Sequence, residues 1–478
     1  MNFSKTILLT LVPFLASCSH PQQVQQPAVD AQESSQLIDN YLAKQMEMHG
    51  IPGLALAVIK DGKAIHKGYY GYANLSHQVS VNDQTVFSVF SSTKLISATA
   101  VFQLIEAGKI SLTDELSQFF PNLPTTWQSI RIEHLLSHAS GLPDIIFLPE
   151  ETKEEDLLSA LFDQDIWFTP GERFNYNQTN YWLLQQIIEK VANQDFEEFV
   201  FHNQFFNDAN KAFFSSNSIK VFPNRAQRYQ YNQWQELELD TYQGDSLAHS
   251  GNGLNINLPA FIQWNQSLDE ARLLKEATKS LMWSEFDFAD ENSSFLRGWG
   301  IYDVNGVRSI GFTGGGVSGF RKFPEQNLTI IFLTNGYKYF PVHNVLIDHI
   351  AGLIEPSLKD EMVLETEEVI NGFLSMPIAN ALKNYKAAKA KMPDLDIEDR
   401  INSIGYTLMR NGKLADAIQV FEQNVKDHPE SWNVYDSLGE AYAMQGNKSK
   451  AIELYEKSLQ VNPENTNGIE QLKILREG

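Results

Sequence analysis

Ser91-Ser92-Thr93-Lys94 places a serine three residues ahead of a lysine, a spacing at which one helical face holds hydroxyl and amine side by side. Such a pair can make a nucleophile without histidine. It does so only where burial or a nearby positive charge lowers the lysine pKa enough for the amine to take the serine proton. A chain with 36 serines and 26 lysines in 478 residues holds about two such spacings by chance, so the flanking residues decide. Thr85 to Phe90 is apolar and β-branched, and Leu95, Ile96, Ala100, Val101, Leu104 and Ile105 recur at helical spacing up to Gly108. Ser91 therefore falls at or near a helix N-terminus, where backbone N–H groups can stabilise an oxyanion.

The elements that must position this pair belong to a chain that is 43% hydrophobic and long enough for two or three domains. Its net charge of −22, with no basic run, argues against nucleic acid and against a polybasic membrane patch. Residues 1–18 read as an export signal, with Lys5 as the short basic region and Ile7 to Leu15 as an apolar core too short to span a bilayer comfortably. Leu15-Ala16-Ser17-Cys18 resembles the lipobox of bacterial lipoproteins, which implies acylation of Cys18. Ser19 stands where an aspartate would resemble inner-membrane retention, so a lipid-anchored protein of the outer membrane facing the periplasm is expected. Cys18 is the only cysteine, so stability has to come from packing rather than from an intrachain disulfide.

Residues 19–35, rich in Gln, Ser and Pro, read as a flexible tether. A folded region over 36–355 follows. Leu54 to Ile59 and Ala64 to Tyr70 flank Asp61-Gly62, and Trp299 to Val304 and Val307 to Thr313 flank Asn305-Gly306, two hairpin signals, with Leu328 to Leu333 as a further apolar strand. Strands at both ends with helical patterns between them predict an α+β domain. A connector over 356–395, with helical character from Ala379 to Lys391, leads to a tail over 396–478. There Gly405, Gly412, Ala417, Phe421 and Pro429 recur 34 residues later as Gly439, Gly446, Ala451, Tyr455 and Pro463. The period resembles the tetratricopeptide repeat, in which small residues let paired helices cross closely, with Ile469 to Arg476 as a terminal cap. Two repeats are few for a free-standing array, so the tail is expected to lean on the preceding domain or to gain the connector helix. Partner binding and a purely structural role are equally open for it.

Three further segments accompany the serine–lysine pair. Glu133 to Pro143 (EHLLSHASGLP), Pro170 to Gln178 (PGERFNYNQ) and Gly311 to Gly316 (GFTGGG) follow it in the order found in β-lactamase-related serine hydrolases, which include class C β-lactamases, D-alanyl-D-alanine peptidases and related esterases. Ile51-Pro52-Gly53 and Gly108 to Leu112 also fit, so the chain resembles this family over roughly 36–355. The resemblance implies the penicillin-binding fold, an antiparallel sheet packed with helices plus a helical subdomain; nothing in the sequence supports a metal or other cofactor, and none is expected. It implies that Ser91 is the acylated nucleophile, Lys94 its proton-accepting or positioning partner, and Tyr176 the proton shuttle. A phenol needs a nearby positive charge to act as a base, and Lys94 is the expected source. Backbone N–H groups of Ser91 and Gly315 would form the oxyanion hole.

Two residues depart from the family pattern. Gln178 stands in place of asparagine and keeps the amide at the cost of one methylene. Phe312 stands before Thr313-Gly314 in place of lysine, histidine or tryptophan and supplies neither charge nor hydrogen bond. Recognition of a substrate carboxylate is then expected to weaken unless Arg321 or Lys322 reaches the site. His134 and His138 lack the glutamate of a zincin motif and read as structural. The expectation is an ester- or amide-cleaving serine hydrolase leaning toward esterase, acting on a small-molecule or peptide substrate. A D-alanyl-D-alanine peptidase or β-lactamase is one alternative; a catalytically weak protein that recruits a partner through its repeats is the other.

Overall fold

Two tight turns frame the main sheet. Asp61 and Gly62 have φ of 49° and 74°, and Asn305 and Gly306 have 54° and 73°, the paired left-handed conformations of a two-residue hairpin turn. The computed structural model describes residues 31–477 apart from 150–151, 154–155, 163, 206–210, 233–235 and 340. The export signal, Cys18 and residues 19–30 of the expected tether lie outside the described residues. Residues 31–35, also expected as tether, instead open helix α1 (Ala31–His49). Ser34, Ile38, Leu42 and Gln45 recur at helical spacing and are buried, so packing extends the helix into that polar stretch.

Strands β1 (Gly53–Lys60), β2 (Lys63–Asn74), β3 (Val79–Ser80), β4 (Gly300–Val304), β5 (Val307–Gly314), β6 (Ser318–Phe323) and β7 (Leu328–Thr334) form one antiparallel sheet. Its order is β3-β2-β1-β7-β6-β5-β4, so the early and late strands meet in the β1–β7 pair, where Leu54 faces Thr334 and Lys60 faces Leu328. Both faces of β1 are covered. Ala55, Ala57 and Ile59 enter one core with helix α2 (Thr93–Glu106) and helix α3 (Gln178–Ala192), whereas Leu54, Leu56 and Val58 enter a second with α1 and α4 (His343–Ile354). This is the α+β architecture expected from the strand and helix patterns.

The second core does not stop at the sheet. It continues through Phe373 and Tyr385 of α5 (Glu361–Ser375) and α6 (Ile378–Lys391) into α7 (Glu398–Arg410), α8 (Leu414–Asp427), α9 (Trp432–Met444), α10 (Lys448–Val461) and α11 (Thr466–Glu477). The tail thus leans on the sheet domain through shared apolar packing. Glu367 of α5, 8% exposed, receives the Tyr41 hydroxyl at 2.9 Å and lies 2.6 Å from His349 Nδ1, tying α5 to α1 and α4. Within the tail, a Cβ on Gly405 would come within 2.3 Å of the Phe421 ring, so the repeated glycine is what lets α7 and α8 cross closely. Among the described residues no helix is long and apolar enough to cross a membrane.

Candidate active site

Ser91 lies on a short 3₁₀ turn, Phe90–Ser92, that runs into α2 and places Lys94 one turn on. Phe90, just before it, has φ of 46°, a left-handed conformation uncommon for a side chain of this size. The turn is stitched to the sheet. Ser318 Oγ donates to Val89 O at 2.6 Å and sits 2.9 Å from Ser92 Oγ. A Cβ on Gly314 would lie 2.0 Å from Val89 O and 2.7 Å from Ser91 N, so only glycine lets the end of β5 lie directly against this turn.

The structure brings three of the expected residues together. The Tyr176 hydroxyl donates to Ser91 Oγ at 2.8 Å, and Lys94 Nζ lies 4.8 Å from the Tyr176 ring centre. Lys94 is wholly buried. Its ammonium donates to Gly251 O at 3.0 Å and to Gln178 Oε1 at 3.2 Å, so the longer side chain at 178 still makes the lysine contact. Burial holds the Lys94 pKa below the ordinary lysine value, while Tyr176 and Asp144 act in the opposite direction. Tyr176 is 39% exposed rather than a core aromatic, so its hydroxyl faces both the nucleophile and solvent.

Phe312 is 7% exposed, with its ring centre 6.2 Å from that of Tyr176 and 6.1 Å from that of Phe295. It fills apolar space beside the tyrosine. Thr313 pairs with Gly319 across β5 and β6, and Gly315 is exposed next to the nucleophile turn with φ of 55°. Neither cation of β6 replaces the missing charge. Arg321 is 1% exposed, donates to Asp348 Oδ1 at 3.0 Å and to Asn344 Oδ1 at 2.9 Å, and stacks 3.5 Å from the Tyr302 ring centre. Lys322 points to the other face and donates to both Asp269 oxygens, at 2.7 and 2.9 Å. Alternation along the strand sends the two side chains into opposite cores, away from Ser91.

His138 is buried against Tyr176, ring centres 4.5 Å apart, and its Nδ1 accepts the Asn177 N–H at 3.1 Å. Burial, reinforced by Lys94, pushes its pKa well below the ordinary histidine value, so it packs as a neutral ring under the tyrosine. His134 Nδ1 accepts the Arg131 N–H at 3.1 Å, and burial with the Arg131 charge lowers its pKa to about 4. Both histidines therefore serve the scaffold around the site.

Two participants escaped the sequence reading. Ser91 donates its hydroxyl to Asn252 Oδ1 at 2.9 Å, and Asp144, which accepts the Gln178 N–H at 3.0 Å, lies close enough to Lys94 to bias its charge. Asn252 sits between Gly251 and Gly253, a punctuation that marks close backbone approach and was legible as such. Asn252→Ala frees the Ser91 hydroxyl to rotate and is expected to slow covalent labelling of the serine about fivefold. The measurement is the second-order rate with a fluorophosphonate; an unchanged rate removes any positioning role.

The family profile described as Beta-lactamase matches residues 38–352, and one described as Tetratricopeptide repeat matches residues 432–465. The chain belongs to the β-lactamase family. This β-lactamase-family chain is 27% identical over 177 residues to Protein flp of Staphylococcus aureus (strain MRSA252), covering 35% of the chain and 36% of that protein. It is 33% identical over 168 residues to the Putative penicillin-binding protein PbpX of Bacillus subtilis (strain 168), covering 35% and 41%. It thus spans well under half the length of these curated relatives. In fold it is similar to the octameric penicillin-binding protein homologue from Pyrococcus abyssi, with a TM-score of 0.60 at 21% identity over 70% of this chain and 81% of that one. It is also similar to the D-amino acid amidase from Ochrobactrum anthropi SV3, with a TM-score of 0.58 at 19% identity over 69% of this chain and 100% of that one.

Proposed function

We propose that the protein is an esterase-leaning serine hydrolase that acts through an acyl-enzyme on Ser91. The observation that carries the reading is the 2.8 Å contact between Tyr176 and Ser91 Oγ beside a fully buried Lys94. In the proposed cycle Tyr176, acting as the base beside the Lys94 side chain, takes the Ser91 proton as Oγ bonds to the carbonyl carbon. The carbonyl electrons move onto the oxygen, which Ser91 N–H and Gly315 N–H stabilise. The bond to the leaving group then breaks, and Tyr176 returns the proton to it. Water repeats the sequence on the acyl-enzyme and releases the acid and the free serine. Phe312 favours a substrate that is neutral next to the scissile bond. Peptide mapping after exposure to a fluorophosphonate is expected to place the adduct on Ser91. Equal turnover of p-nitrophenyl esters by wild type and Ser91→Ala would sink the reading.

The likeness to penicillin-binding proteins and amidases supports a second reading, cleavage of D-alanyl peptides or β-lactams. Phe312→Lys puts a cation beside Tyr176 and is expected to raise acylation by a fluorescent penicillin about tenfold. Rapid penicillin labelling of the wild type, with no gain in the variant, would favour the second reading over the first. We also propose that Cys18 carries a lipid anchor at the outer membrane; Cys18→Ala should abolish palmitate incorporation, and undiminished incorporation excludes the anchor.

A further inference from the structure

A cavity of about 420 Å³ opens beside Phe90 and Gly315, the neighbours of the nucleophile, and its far wall is Ser403, Tyr406 and Arg410 of α7. A second hollow of about 660 Å³ shares Tyr406 and Arg410 with the first and runs on to Met409, Glu440 and Met444. The first helix of the tail is therefore one wall of a groove whose opposite side carries Phe90, the residue before Ser91, and Gly315. Arg400 of this helix donates to Pro341 O at 3.1 Å, and on the same loop the Lys338 N–H donates to His49 O at 2.8 Å, which ties that loop to α1.

On a chain of net charge −22 the lining of the groove carries more cations, Arg228, Lys338 and Arg410, than carboxylates, Asp240 and Glu440. Of its two carboxylates, Asp240 is paired with Arg228, and Glu440 accepts the Tyr406 hydroxyl at 2.8 Å and keeps its charge. Arg228 in turn lies 4.1 Å from the Phe90 ring centre. Two cations remain. Lys338 is half-buried, 5.2 and 5.9 Å from the ring centres of Tyr339 and Tyr231, and Arg410 is exposed; among the described residues neither makes an ion pair. An aromatic-lined groove with two uncommitted cations complements an anion whose connecting chain packs on rings.

We propose that this groove receives an acyl substrate carrying a carboxylate several bonds from the scissile carbonyl, with Lys338 and Arg410 as the carboxylate receptor. The proposal rests on the reading of Ser91 as an acylated nucleophile. It relocates the anion site: Phe312 serves no carboxylate next to the reacting bond, whereas the helical tail serves one farther out. The tail is then part of the substrate site as well as a packed appendage.

The test uses full-length protein and two matched esters, the mono-p-nitrophenyl ester of an eight-carbon diacid and its methyl-capped counterpart. Wild type is expected to favour the free carboxylate about tenfold in kcat/KM, less at high salt. The ratio of the two values, which cancels general damage to the active site, should fall to near one in Lys338→Ala/Arg410→Ala and invert in Lys338→Glu/Arg410→Glu. A ratio that is equal in wild type and variants overturns the proposal. If neither ester shows Ser91-dependent turnover, the hydrolase reading fails instead, and calorimetry of Ser91→Ala with the free diacid still decides the groove. Saturable binding lost in Lys338→Glu/Arg410→Glu supports it; no binding, or equal binding, overturns it.

Discussion

Phenylalanine at position 176 is expected to lower kcat/KM for an aryl ester about a thousandfold, some 4 kcal/mol in the barrier, while the melting temperature stays within a few degrees. The tyrosine ring is held by packing against His138 at 4.5 Å and Phe312 at 6.2 Å, and the phenyl ring of the variant keeps both neighbours. What the variant loses is the hydroxyl 2.8 Å from Ser91 Oγ. Because the ring is 39% exposed, that hydroxyl is not part of a buried network whose loss would unfold the site. Lys94 remains beside Ser91 in the variant and defines the comparison. If Tyr176→Phe costs less than about fivefold while Lys94→Met abolishes turnover, the base is the lysine and the tyrosine only lines the cleft. Steady-state rates on one aryl ester, with circular dichroism as the control for folding, separate these outcomes.

The parts of this site that were readable in advance are those whose residue type answers a local demand. Asp61-Gly62 and Asn305-Gly306 dictate their turns because few other pairs accept two left-handed residues. Gly405 and Gly439 announce helix crossings because Phe421 leaves no room for a side chain at the first and Tyr455 packs tightly, at 3.3 Å from a Cβ, at the second. Ser91 and Lys94 needed only one helical turn to meet. Beyond the glycines that flank Asn252, the contacts of Asn252 and Asp144 were not readable, because what brings them to Ser91 and Lys94 is packing between segments more than a hundred and about fifty residues away in the chain. The length of α1 was missed for a related reason: its first turn is polar in composition and helical only because Ser34 and Ile38 find a partner surface.

Arg321 illustrates the same limit in energetic form and gives the largest expected loss of stability. A charged residue two places after Gly319 on a strand reads as a surface or site cation, yet the guanidinium is 1% exposed and spans Asp348, Asn344 and the face of Tyr302. Arg321→Met keeps much of the side-chain volume and removes the charge, leaving the Asp348 carboxylate buried without its partner. A loss of about 3–5 kcal/mol at pH 8 is expected in denaturant unfolding. The pH dependence distinguishes a lost ion pair from lost packing. Burial raises the Asp348 pKa to about 6 even with Arg321 opposing that rise. Its folded value lies above the unfolded one, so the folded state holds the proton longer, and ionising this group costs stability as pH rises through that interval. Without Arg321 the folded pKa climbs further, so the deficit of the variant should be greatest at pH 8 and shrink toward pH 5, where Asp348 is protonated in the folded state. A deficit of the same size at both values would assign the effect to packing against Tyr302 alone. Since β6 lies between β5, which ends at Gly314 against the nucleophile turn, and β7, the loosened strand should also slow labelling of Ser91, linking a core charge pair to the geometry of the nucleophile turn.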